Sequence, residues 1–295
     1  MRPEAVVALA FLLATACSDH PSASAPAAPP RNVVKSALAN DEFLWDSTPA
    51  RDYTLYVPRG SYAATRVADF GSATQEAIAH DLSVLGDTTL PGHLRVFYVS
   101  SRAEMKTIAG GAYSGKSDAA ALGVVLVAAN GWRPVHRHEI MHVLSLRAWG
   151  YPGTNGWTDP APTPAIWRQG AWLREGLAAA AEQLCGAYTY RGFAAQMQTE
   201  GQLFPLDTLR DAFDRPDDLA TYVQAGSLVQ YLLQRYGEPR FRELWRDPGR
   251  DVQRIYGESA ASIESDWHDW LRTTSDPRPS SVAALRRQGC APPRR

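Results

Sequence analysis

His138-Glu139-Ile140-Met141-His142 carries the chemistry that is easiest to read in this chain. It lies in a run, Val135–Ala148, free of Pro and Gly and rich in helix formers. A step of four residues turns a helix by roughly 400°, so the two imidazoles share one face, one turn apart. That spacing lets a nitrogen from each reach one zinc ion at ~2.0–2.1 Å. Glu139, offset by ~100°, borders that face without joining it and can serve as a base toward water at the metal. The plain alternative is a surface helix with two unrelated histidines. A catalytic zinc takes three protein ligands and keeps one position open, and a carboxylate can be the third. Glu175, within Trp172-Leu-Arg-Glu175-Gly-Leu-Ala178, lies 33 residues after His142 on a second helical run. Gly176 and Ala178 to Ala181 make that run slim enough to approach the first helix closely. Read alone, Glu175 is equally well a solvated charge on an Ala-rich helix.

The chain that must position these residues has 295 residues, 30 Lys+Arg against 31 Asp+Glu, 45% hydrophobic and 21% charged residues, and 3 Cys. This is an ordinary globular composition, which excludes collagen, coiled coil, wholesale disorder and a small disulfide scaffold. A net charge of -1 speaks against a broad phosphate-binding surface, so nucleic acid is not an expected partner. No apolar run approaches the ~20 residues that span a bilayer. Strands are expected at 53–57, 94–99 and 123–128, and helices at 65–85, 135–148, 171–185, 218–236, 238–246 and 262–272. A short helix should start at Ser100 or Ser101 and stop near Gly110-Gly111. Residues 149–168, with several Pro and Trp, read as a long loop, and no repeat is visible. The expected fold class is α+β: a small mixed sheet with helices, then a mainly helical half, with the metal at the junction.

The first segment reads as an address. Residues 1–16 form an export signal, with an uncharged run from Ala5 to Ala16. Leu13-Ala14-Thr15-Ala16-Cys17 resembles a bacterial lipobox, in which Cys17 would carry lipid and anchor the chain to the cell envelope; simple cleavage after Ala16 is the alternative. Residues 17–42 are expected as a Pro/Ala/Ser-rich tether, 43–134 and 135–275 as the two halves of one domain, and 276–295 as a tail. With Cys17 set aside, Cys185 and Cys290 remain, and an even remainder in an oxidising compartment suggests a disulfide.

H-E-x-x-H followed by W-L-x-E-G-x-A resembles the signature of the gluzincins, within the zincins that include thermolysin and aminopeptidase N, and is most like the bacterial peptidase MA-like family. Tyr222-Val-Gln-Ala-Gly-Ser-Leu and Arg235-Tyr-Gly-Glu-Pro-Arg-Phe241 extend the similarity over about residues 50–272. The resemblance implies a zincin-like fold, one zinc ion on His138, His142 and Glu175, Glu139 as general base, and Tyr222 as hydrogen-bond donor to the oxyanion; the alternative for Tyr222 is a packed core residue. Where thermolysin-like enzymes carry an Asp to orient a zinc histidine, this chain has Ala179, leaving Glu182 as the carboxylate that could stand behind a ligand. Zincins bind substrate along the edge strand before the active helix, here expected at Gly123–Ala128. Related aminopeptidases grip the substrate amine with a nearby Glu, and Asp118 is the only acidic residue between Glu104 and Glu139. The expectation is a zinc metallopeptidase cutting inside a peptide or protein substrate; the alternative is a lipoprotein that binds zinc and acts as an interaction module without turnover. The oligomeric state is open. His136 is expected to pack at the helix end, and Gly110-Gly-Ala-Tyr-Ser-Gly115 to form a turn.

Overall fold

Tyr53, Leu55 and Val57 are buried and alternate with half-exposed neighbours, the period of a strand with one face on a core. In the computed structural model, which describes residues 32–154, 156–157, 168, 170–213, 219–249 and 252–290, this strand, β2 (Tyr53–Pro58), joins four others: β1 (Trp45–Pro49), β3 (Leu94–Val99), β4 (Gly115–Asp118) and β5 (Gly123–Val127). The order across the sheet is β1-β2-β3-β5-β4. β2, β3 and β5 run parallel, and β1 and β4 are antiparallel edges. The central strands are apolar on both faces because both faces are covered. Val96, Tyr98, Val124 and Leu126 point to one core, under α2 (Val67–Val84) and α4 (His136–Trp149). Phe97, Val99, Val125 and Val127 point to the other, with α1 (Val33–Leu38) and α3 (Arg102–Ala109).

The second half is mainly helical. It comprises α5 (Ala171–Glu182), α6 (Tyr190–Thr199), α7 (Leu206–Ala212), α8 (Leu219–Tyr236), α9 (Glu238–Arg246), α10 (Val252–Tyr256), α11 (Ala260–Arg272) and α12 (Val282–Gln288). The fold is therefore α+β, as expected. Among the described residues no helix is long and apolar enough to cross a membrane.

Several expectations need correction. The tether does not reach residue 42: Val33, Val34 and Ala37 of α1 are buried in the second core. The edge strand is not Gly123–Ala128, which is internal; it is β4, whose Gly-Lys-Ser-Asp composition carries no strand signal because an edge needs few β-formers. The helical half contains a two-residue hairpin, β6 (Leu184–Cys185) with β7 (Tyr188–Thr189). The C-terminal stretch is more than a tail, since α12 forms within it and Val282 is fully buried. The export segment, Cys17 and part of the expected 149–168 loop lie outside the described residues.

Cys185 and Cys290 form a disulfide across 105 residues of sequence. It ties the end of the chain to the hairpin that follows α5. Opening so long a loop costs about 2–4 kcal/mol in typical cases. Cys290→Ser is expected to lower the unfolding free energy by that amount in a urea titration; an unchanged midpoint would show that the bridge contributes nothing.

Candidate metal centre

α4 begins just after Pro134 and ends at Gly150, whose φ of 82° takes the chain out of the helix. His138 and His142 lie one turn apart on its half-buried flank, with side chains 16% and 11% exposed. α5 brings Glu175 against them. Gly176 serves a different neighbour from the one expected: a Cβ there would meet Val229 Cγ2 at 2.8 Å and the Ala225 carbonyl at 3.0 Å, so its missing side chain lets α8 approach from behind.

The three donor atoms meet. His138 Nε2 and His142 Nε2 are 3.2 Å apart. Glu175 Oε2 lies 3.5 Å from the first and 3.3 Å from the second. Ligand atoms at ~2.0–2.1 Å from a tetrahedral ion lie ~3.3–3.4 Å from one another. The triangle therefore has the size that one such ion requires, and it is the one cluster of three His, Cys, Asp or Glu donors among the described residues able to hold a metal.

Electrostatics agree with a preformed donor set. Burial acts to raise the Glu175 carboxyl, but His142 and His138 outweigh it and hold its pKa well below the ordinary value, so the oxygen is an ionised acceptor. Burial acts to lower His138, yet Glu175, Glu139 and Glu182 bring its pKa above the ordinary value. An ion bound there would compete with protons for these donors, so its affinity should fall as the pH is lowered.

Glu139 is buried and faces β4. A Cβ on Gly115 would sit 2.5 Å from Glu139 Cγ and 2.7 Å from Oε1, so the edge strand passes directly over the carboxylate. Among the described residues none donates a hydrogen bond to that carboxylate, which leaves both oxygens to take a proton. Sequence reading missed Gly115 because a glycine-rich stretch signals a turn, whereas here the absence of a side chain is what matters. Ser117 pairs with Val124, and Gly115 with Leu126, so both are on the α4 side of β4. Asp118 pairs with Gly123, on the opposite side from Gly115, and its Oδ1 accepts the Ala121 N–H at 3.0 Å.

His136 packs, as expected: it is 7% exposed, and its Nε2 pairs with the Tyr98 hydroxyl at 2.8 Å, which also contacts Thr74 Oγ1 at 3.1 Å. Burial lowers its pKa to about 4, so it stays a neutral hydrogen-bonding group. Glu182 does not orient a ligand imidazole. Its Oε2 accepts the main-chain N–H of His138 at 3.4 Å, and its Oε1 lies 3.3 Å from Arg133. Among the described residues no carboxylate bonds Nδ1 of either histidine. Tyr222 is half-buried near the start of α8, its ring 5.4 Å from that of Phe213. Tyr222 and Glu175 both neighbour the Arg174 guanidinium and favour its charge, while burial lowers its pKa to about 10. Trp149 packs on Trp245 and Phe241, and Trp157 stacks on Tyr151, so both belong to the framework.

No family model matches the chain, and no curated protein matches it. Among solved structures, that of an aminopeptidase N family protein from Idiomarina loihiensis is similar over 83% of this chain, at 14% identity and a TM-score of 0.39. The chain spans less than half of that protein, 46% of its length.

Proposed function

We propose that the chain is a zinc-dependent metallopeptidase of gluzincin type that hydrolyses internal peptide bonds, exported by residues 1–16 and held at the cell envelope through lipid on Cys17. The observation that carries the reading is the His138–His142–Glu175 triangle with the Glu139 carboxylate beside it, under an edge strand that has no side chain at the point of contact.

His138, His142 and Glu175 would hold the zinc ion, which would supply Lewis acidity and make water at the site more acidic. Glu139 accepts the proton of the attacking water and returns it to the departing amine. The short path over Gly115 keeps its carboxylate confined between strand and helix, so the base is oriented before substrate arrives. Tyr222 donates a hydrogen bond to the oxygen that gains charge on attack. Asp118 is buried and faces away from the Gly115 side, so it does not stand where it could hold a substrate's free amine; this supports internal cleavage over aminopeptidase action.

The test is a digest of a peptide library by the zinc-loaded protein. Cleavage away from the peptide termini, lost on chelation and restored by zinc, is expected. A fully loaded protein that cleaves no peptide would instead be a zinc-holding interaction module.

A further inference from the structure

α4, which carries two of the three proposed ligands, lacks an ordinary start. Its N-cap residue is Val135, which has no side-chain oxygen, and no side-chain cap bond forms there. The first turn of any helix leaves N–H groups without partners inside the helix, and a side-chain oxygen normally takes one. Here the His138 N–H is taken from outside, by Glu182 Oε2, across 44 residues of sequence. Glu182 is 4% exposed. Its other oxygen is held by Arg133, itself half-exposed and just ahead of α4. A carboxylate at this end also meets the positive pole of the helix dipole.

Glu175 and Glu182 stand seven residues, two turns, apart on the same face of α5. One meets the imidazoles of α4 and the other its main chain. The neighbouring Gln183 has φ of 65°, a left-handed conformation that costs energy outside glycine. Its side chain reaches Arg137 at 3.2 Å and His80 at 3.3 Å, so the turn that ends α5 is itself fastened to α4 and α2. The end of α5 is thus built around the contact with the first turn of α4.

We infer that Glu182 is a positioning residue for the metal centre: it caps α4 through the His138 main chain, aimed by Arg133, and so fixes the height of the His138 imidazole relative to Glu175. The inference rests on the zinc reading proposed above, but it concerns a main-chain contact and not the imidazole partner expected for such sites. It places the support for a ligand in the backbone of the ligand residue itself.

The test uses Glu182→Met and Glu182→Gln in the full chain, with zinc affinity measured by competition against a chromophoric chelator and metal-free stability by urea unfolding. Met keeps the length and apolar bulk of the buried side chain but accepts no hydrogen bond; Gln still accepts one. Groups that support metal ligands typically change affinity 10–100-fold, so Met is expected to weaken zinc binding by about 10-fold and Gln to stay within about 3-fold of wild type. Metal-free stability should be lower in the Met variant than in the Gln variant by no more than the loss of one helix cap. Wild-type affinity in Glu182→Met would overturn the inference, as would a Gln variant as weak as the Met variant. A loss of affinity that merely tracks a loss of metal-free stability would overturn it too. If Glu182→Met does not fold, Arg133→Met, which leaves the cap and removes what aims it, is expected to weaken zinc about 3-fold; unchanged affinity there would overturn it. Failure of the wild type to bind zinc would instead sink the zinc reading, so the two failures are distinct.

Discussion

Glu139→Gln is expected to take up zinc as the wild type does and to hydrolyse peptides about 10²–10⁴-fold more slowly. The reason is geometric. Glu139 lies outside the His138–His142–Glu175 triangle, so its charge is not needed to hold an ion. Its carboxylate lies under β4 with no described donor committed to it, so its chemical value is its readiness to take a proton. Gln has the same shape and fits the same space against Gly115, and the helix should not change. Only proton transfer is lost. The measurement pairs kcat on a cleaved peptide with metal content. A variant that loses zinc along with activity would show that Glu139 is structural, and a variant with full activity would remove it from the mechanism.

The second large effect is expected at Gly115. No positive φ applies there, so a side chain is tolerated by the backbone, and the three atoms nearest an added Cβ all belong to Glu139. A Cβ would lie 2.9 Å from the Glu139 carboxyl carbon and closer still to Cγ, so the base must move. Displacing a reacting group by about 1 Å can cost 10²-fold in rate, so Gly115→Val is expected to lower kcat by about 10²-fold with zinc and folding retained. A double-mutant comparison sharpens this. Once Glu139 is Gln, adding Gly115→Val should cost little more, because both changes act on the same group. Losses that multiply would mean that Gly115 acts through something other than the base.

Much of the site was legible because it depends on residue type and spacing. Two imidazoles four apart and a carboxylate on a slim helix are visible in letters alone, and the three donors converge as that pattern requires. Helix α9 was read to the residue, because Gly237 stops the preceding helix and Pro239 suits the first turn of the next. The disulfide followed from parity once Cys17 was set aside. What stayed hidden depends on main chain or on missing atoms. Gly115 matters through the side chain it lacks. Glu182 acts on an N–H that every residue but proline possesses, so no letter marks its partner. β1 and β4 are polar because they are edges, and α1 was masked by the Pro-rich stretch before it. The role of Gly176 was misread because two helices, α4 and α8, flank α5, and the sequence does not say which one a small residue faces.

The account depends most on one ion held by three side chains. The direct measurement is zinc per chain by elemental analysis after dialysis, on wild type and on Glu175→Ala. One zinc per wild-type chain and essentially none on the variant is the expected result. A wild type that keeps no zinc, or a variant that keeps it with equal affinity, would contradict the account.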